Sequence, residues 1–130
     1  MRTTVGLVAV VEDDAAMRKS IERLLDASGY TASTFASAEE FLQSALVDSF
    51  MGLVLDIHLG GMSGIELRRR LSAAKSRIPV VFITAFDDDA TRIEAHAVGC
   101  VDLLYKPFET HQLIEVLKRC ALWNPHRDAG

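Results

Sequence analysis

Residues 5–14 read VGLVAVVEDD. Val5–Val11 is almost unbroken apolar sequence, and it stops at three consecutive acids, Glu12, Asp13 and Asp14. A strand with one wet face alternates apolar and polar residues; a strand covered on both faces does not. This segment does not alternate. It therefore calls for helices above and below it, and so for a parallel sheet with crossover helices.

The rest of the chain repeats the motif. Four further β-prone runs follow: Tyr30–Phe35, Met51–Leu55, Ile78–Thr84 and Val101–Tyr105. Pro79 is tolerable near the start of its strand. Helix-like stretches alternate with them. Asp14 can cap a helix to about Ser28, with Met17, Ile21, Leu24 and Leu25 on one stripe and Gly29 as its stop. Ser37 and Glu40 form a capping box before Phe41, Leu42, Ala45 and Leu46. A loop over about Ile57–Ser63 leads to a third helix capped by Ser63, with Ile65, Leu67 and Leu71 inward and Arg68, Arg69 and Arg70 read as a solvated face. Asp87–Asp89 opens the fourth helix, which ends near Gly99. Thr110 can cap the fifth, with Leu113, Ile114, Leu117 and Ala121 at helical spacing. Strict alternation with short links predicts an α/β fold: a parallel sheet sandwiched between two layers of helices.

Composition agrees and narrows the function. At 130 residues the chain fits one domain, and 49% hydrophobic with 25% charged residues is globular rather than disordered. A formal charge of −4 argues against a broadly basic surface for nucleic acid or anionic membrane. Cys100 and Cys120 lack partners at zinc spacing and read as reduced thiols; His96, His111 and His126 share no ligand spacing either. The apolar runs are too short to span a bilayer, and a cytoplasmic location without membrane contact is expected.

In an open α/β sheet, ligands bind beyond the carboxyl ends of the strands. The first strand ends in Glu12 and Asp13, the third in Asp56, the fourth in Thr84, and the fifth near Lys106. Three carboxylates, a hydroxyl and an ammonium should converge on one rim. Crowded carboxylates repel one another, and a hard dication such as Mg2+ relieves that repulsion with oxygen ligands.

Four stretches, VVEDDAAMRKSI, VLDIHLGGMSGIEL, VVFITAFDD and VDLLYKPFE, stand in this order. With them the sequence resembles a response regulator receiver domain of the FixJ type over about Val5 to Ala121. The resemblance implies a five-stranded doubly wound, flavodoxin-like sheet of order 2-1-3-4-5. The receiver domain is expected over residues 1–123; the tail over 124–130, NPHRDAG, has no periodicity and is read as flexible. The resemblance implies that Asp56 is the phosphoacceptor, and that Mg2+ (or Mn2+ in its place) is held by Asp13, Asp56, the His58 carbonyl and, through water, Glu12. Thr84 becomes the switch hydroxyl, Lys106 the phosphate-binding lysine, and Lys106–Pro107 a cis peptide. Asp14 is set aside as a helix cap.

The resemblance also implies a partner set. A sensor histidine kinase or a small phosphodonor supplies the phosphoryl group. The face of the fourth helix, fifth strand and fifth helix then meets a homodimer mate or an output domain. DNA is reached only through an output domain absent from this chain, which is either a stand-alone regulator or the first part of a longer one. The chain is expected to be a switch rather than an enzyme.

Departures from the family pattern carry expectations of their own. Gly60 replaces a usual proline and should loosen the loop after Asp56. Leu103 replaces the aromatic residue three before the lysine, so either Tyr105 substitutes at a different site or the signal runs through Thr84 and the fourth helix alone; Tyr105 is read as a plain surface-edge residue. His58 and Phe86 flank the site: Phe86 as a water shield, His58 orienting water or pointing to solvent. The rivals are weaker. An aspartyl phosphatase wants a second aspartate where His58 stands. A nucleotide binder wants a Gly-rich first loop where this one is acidic. A receiver that has lost phosphate chemistry would not need all five site residues.

Overall fold

A computed structural model describes residues 6–44 and 47–123. Five strands, β1 (Leu7–Val11), β2 (Thr31–Phe35), β3 (Gly52–Asp56), β4 (Val80–Thr84) and β5 (Asp102–Tyr105), form one parallel sheet in the order 2-1-3-4-5. The helices are α1 (Ala15–Ala27), α2 (Ala38–Leu42), α3 (Gly64–Ala73), α4 (Asp89–Val98) and α5 (Thr110–Cys120).

The uninterrupted apolar strands are explained by two cores. Side chains alternate across a strand, so Val8, Val10, Val54, Val81, Ile83 and Leu104 face one way and meet Ile21 and Leu25 of α1 and Leu113 and Leu117 of α5. Ala9, Val11, Leu53, Leu55, Phe82 and Leu103 face the other way and meet Phe41 of α2, Leu67 of α3 and Ala95 of α4. Among the described residues no helix is long and apolar enough to cross a membrane.

The caps follow the sequence in most places. Asp14 accepts from the Ala16 and Met17 amides, Ser37 from Glu40, Ser63 from Glu66, and Asp88 from Thr91. Gly29 and Gly99 follow helix ends at φ 93° and 90°, where a side chain would be strained. Three expectations change. The last helix is capped by Glu109 rather than Thr110, because the Gln112 side chain reaches back to accept the Glu109 amide at 2.7 Å. Ala121 lies just past that helix as its C-cap. α2 ends at Leu42; Ala45 and Leu46, expected on its apolar stripe, lie outside the described residues, as do Val5 and the tail over 124–130.

The arginine run also divides. Arg69 and Arg70 are exposed and pair with Glu94 and Glu66. Arg68 instead turns inward and is buried. Its Nε donates to the Gly99 carbonyl at 2.8 Å, its guanidinium bonds the Ser72 hydroxyl, and the Trp123 ring lies over it at 5.6 Å. One turn of helix places position 68 on the same face as Leu71, so the side chain starts inward and its stem is apolar enough to stay there.

Candidate functional site

Parallel strands bring their carboxyl ends to one edge, and the expected residues meet there. Glu12 is fully buried just beyond β1. Its Oε1 accepts from Lys106 Nζ at 2.6 Å, its Oε2 from the Asp14 amide at 3.2 Å, and its backbone carbonyl from Arg18 at 2.9 Å. Asp56, also buried, ends β3; its Oδ2 accepts from Lys106 Nζ at 2.8 Å and its Oδ1 from the His58 amide at 3.0 Å. Asp13 is exposed and accepts the Gly60 amide at 3.2 Å. Carboxylate oxygens of Glu12, Asp13 and Asp56 all lie within 4.8 Å of one another.

Lys106 reaches the two acids because of where β5 ends. Its amide donates to the Thr84 carbonyl at 2.7 Å, continuing the β4–β5 ladder one residue past Tyr105. The Lys106–Pro107 peptide is cis. Thr84 is buried at the end of β4, and its hydroxyl oxygen accepts the Phe86 amide at 3.1 Å. Phe86 is exposed and packs edge-to-face on the exposed His58 ring, with centroids 4.3 Å apart, so the two flanking residues touch across the mouth of the site.

The electrostatics follow from this crowding. Burial is the main force pushing the Glu12 carboxyl up, to about 7; Lys106 opposes it and the neighbouring Asp56 adds to it. Burial alone would pull Lys106 down, but its two carboxylate partners outweigh that and hold it above its ordinary value. Three carboxylates against one ammonium leave two formal negative charges to balance. The donor set is all oxygen and is partly open to solvent through Asp13, which fits a small hard dication that keeps some of its water.

The loop between β3 and α3 is tied down by acids. Besides the His58 and Gly60 bonds, the Met62 amide donates to Glu39 of α2 at 3.1 Å. Gly61 has φ 75°, and a Cβ there would stand 2.8 Å from Glu39 Oε2. These bonds oppose the looseness that two glycines would otherwise bring. No local pattern marks Glu39, because its partner lies 23 residues away. None marks Gly64 either, where a Cβ would meet the Asp56 carbonyl oxygen at 2.3 Å. A glycine at the first turn of a helix close to the acidic loop was the one available hint.

Comparison with known proteins gives a consistent result. The family described as response regulator receiver domain matches residues 8–118. The transcriptional regulatory protein FixJ of Bradyrhizobium diazoefficiens is 39% identical over 116 residues, which cover 89% of this chain and 57% of that protein. Nodulation protein W of the same organism is 38% identical, covering 88% of this chain and 51% of its own length. The chain thus spans little more than half of these relatives. Among solved structures, the crystal structure of FixJ-N superposes with a TM-score of 0.82 at 34% identity, covering 95% of this chain and 98% of that one. The response regulator StyR gives 0.83 at 37% identity, covering 93% of this chain and 61% of that one.

Proposed function

We propose the following function from the premise that this chain belongs to the response regulator receiver domain family: it accepts a phosphoryl group on Asp56 and passes that event to the surface of α4, β5 and α5. The observation that carries the proposal is the buried Asp56 carboxylate, shared with Lys106 at 2.8 Å and ringed by two further acids on one rim. An Asp56 carboxylate oxygen attacks phosphorus, the bond from phosphorus to the donor breaks, and an acyl phosphate forms as the donor group leaves. The donor is a histidine kinase's phosphohistidine or a small phosphodonor. Uptake of one phosphoryl group from acetyl phosphate by the intact chain tests the reading.

Each residue has a task in this scheme. Lys106 already touches Asp56 and offers a point charge to an incoming phosphoryl oxygen. Glu12, Asp13 and Asp56, with the His58 carbonyl, would hold Mg2+ or Mn2+. When bound, the ion supplies positive charge to the phosphoryl oxygens during transfer. Thr84 turns its hydroxyl from the Phe86 amide toward the new dianion. Residue 103 is a buried leucine, so there is no ring to swing at that position. Tyr105 is two residues further along β5, on the same sheet face, and meets Arg92 of α4. It therefore links the site end of β5 to α4. The altered surface then acts on a homodimer mate or an output domain; by analogy with the relative named transcriptional regulatory protein FixJ, the output is transcription.

Three outcomes follow. Below pH 7 the Glu12 proton must leave before the acid can serve a dication. Mg2+ affinity should therefore climb by up to about tenfold per pH unit as pH rises toward 7, then level off above 8. Calorimetric titration from pH 5.5 to 8.5 reads this, and a flat profile would refute it. The same raised pKa means the folded chain binds more protons than the unfolded one between the ordinary value of 4.5 and about 7, so this group lowers stability as pH rises through that window. Separately, Phe86→Ala uncovers His58 and opens the site to water, so the phosphorylated form should decay several-fold faster. An unchanged decay rate would show that the ring shields nothing.

A further inference from the structure

The β3–α3 loop carries two amides that touch the acids of the site: His58 on Asp56 Oδ1 and Gly60 on Asp13 Oδ2. Gly60 and Gly61 give it little stiffness of its own. Its far side is held by Glu39, which accepts the Met62 amide at 3.1 Å and fills the space where a side chain at Gly61 would stand. Glu39 is itself well located. Ser37 caps α2 at the Glu40 amide, Glu40 reaches back to the Ala36 amide at 2.7 Å, and Phe41 is fully buried against Phe35 and Phe50. The loop is thus gripped between Asp13 on the site side and Glu39 on the helix side.

From this geometry we infer that Glu39 is a positioning residue for phosphoryl acceptance, acting through the backbone of the β3–α3 loop rather than by touching the reacting atoms. The inference rests on the reading of Asp56 as acceptor. Groups that orient ligands from outside the ligand shell commonly carry 10–100-fold in metal affinity or activity, because displacements near 1 Å at reacting atoms are costly. The Met62 bond is also the largest influence holding the Glu39 carboxyl below its ordinary value, as expected of a carboxylate that accepts a backbone amide.

The test uses the full chain and three variants: Glu39→Ala, Glu39→Gln and Gly61→Ala. Amide hydrogen exchange at Gly60 and Met62, in metal-free protein, reads the tether directly. Mg2+ affinity and the initial rate of labelling by acetyl phosphate read its effect. Glu39→Ala should speed exchange at both amides and weaken Mg2+ binding by about tenfold, the low end for an indirect tether. Gly61→Ala should act in the same direction, by pushing Glu39 off the loop. Glu39→Gln keeps an oxygen acceptor and should stay close to wild type. Wild-type exchange and affinity in Glu39→Ala would overturn the inference. So would a loss in Glu39→Gln as large as in Glu39→Ala, since charge alone would then be responsible. A wild-type control that takes no phosphoryl group would instead overturn the reading of Asp56, and is told apart by that control.

Discussion

Asp56→Asn should leave the chain unmodified after incubation with acetyl phosphate and Mg2+, while the native chain gains the mass of one phosphoryl group. Asparagine has the same shape, and its amide oxygen can still accept the His58 amide, so the loop keeps its anchor. What disappears is the anionic nucleophile, and an amide oxygen does not replace it. Lys106 keeps its 2.6 Å bond to Glu12, so no cation is stranded. The variant should therefore fold, and circular dichroism can show it. Removing the Asp56 charge also takes away one influence that raises Glu12, so the remaining acid should ionise more readily. Persistent labelling of Asp56→Asn would place the acceptor at Glu12 or Asp13 and defeat the proposal.

The second large effect comes from adding one carbon. A Cβ at Gly64 would lie 2.3 Å from the Asp56 carbonyl oxygen and 3.0 Å from both the Asp56 carbonyl carbon and the Ile57 Cα. All three are backbone atoms, so no side chain can swing aside to make room. Either α3 must lift from the sheet or the end of β3 must bend. The Gly64 amide also donates to the Ile57 carbonyl at 3.0 Å, and that bond must stretch. Gly64→Ala should cost about 1–3 kcal/mol, as overpacking in a tight interior does. A chemical denaturation series checks the loss, and labelling by acetyl phosphate should slow in step because Asp56 sits on the displaced strand end. Unaltered stability would mean that α3 is not seated against β3 as described.

Much of this was legible in the chain. The unbroken apolar runs required two covered faces, and the alternation of Val8 with Ala9, or Val81 with Phe82, sorts them onto two cores. Short polar caps such as Asp14 and Ser63 read well because their partners lie within three residues. The rim read well because strand ends in a parallel sheet share one edge, so one-dimensional positions translate into a common place. Contacts between distant residues did not read. Glu39 and Met62 carry no shared pattern, nor do Gly64 and the Asp56 carbonyl. Arg68 reads as a surface charge because nothing in an Arg-Arg-Arg run reveals that Gly99 and Trp123 receive one of its members. The Glu109 cap is hidden for a subtler reason: threonine is the better intrinsic cap, and the Gln112 side chain overrides it.

The Trp123–Arg68 stack has a practical side. Trp123 is the chain's single indole, and it lies against a cation beside Gly99, ahead of β5, at the opposite end of the sheet from Asp56. A five-residue strand separates those ends by roughly 16 Å. Its fluorescence is thus a reporter built into the far edge of the molecule and blind to direct quenching by whatever occupies the acidic rim. Any change in emission that accompanies labelling must have travelled the length of the domain.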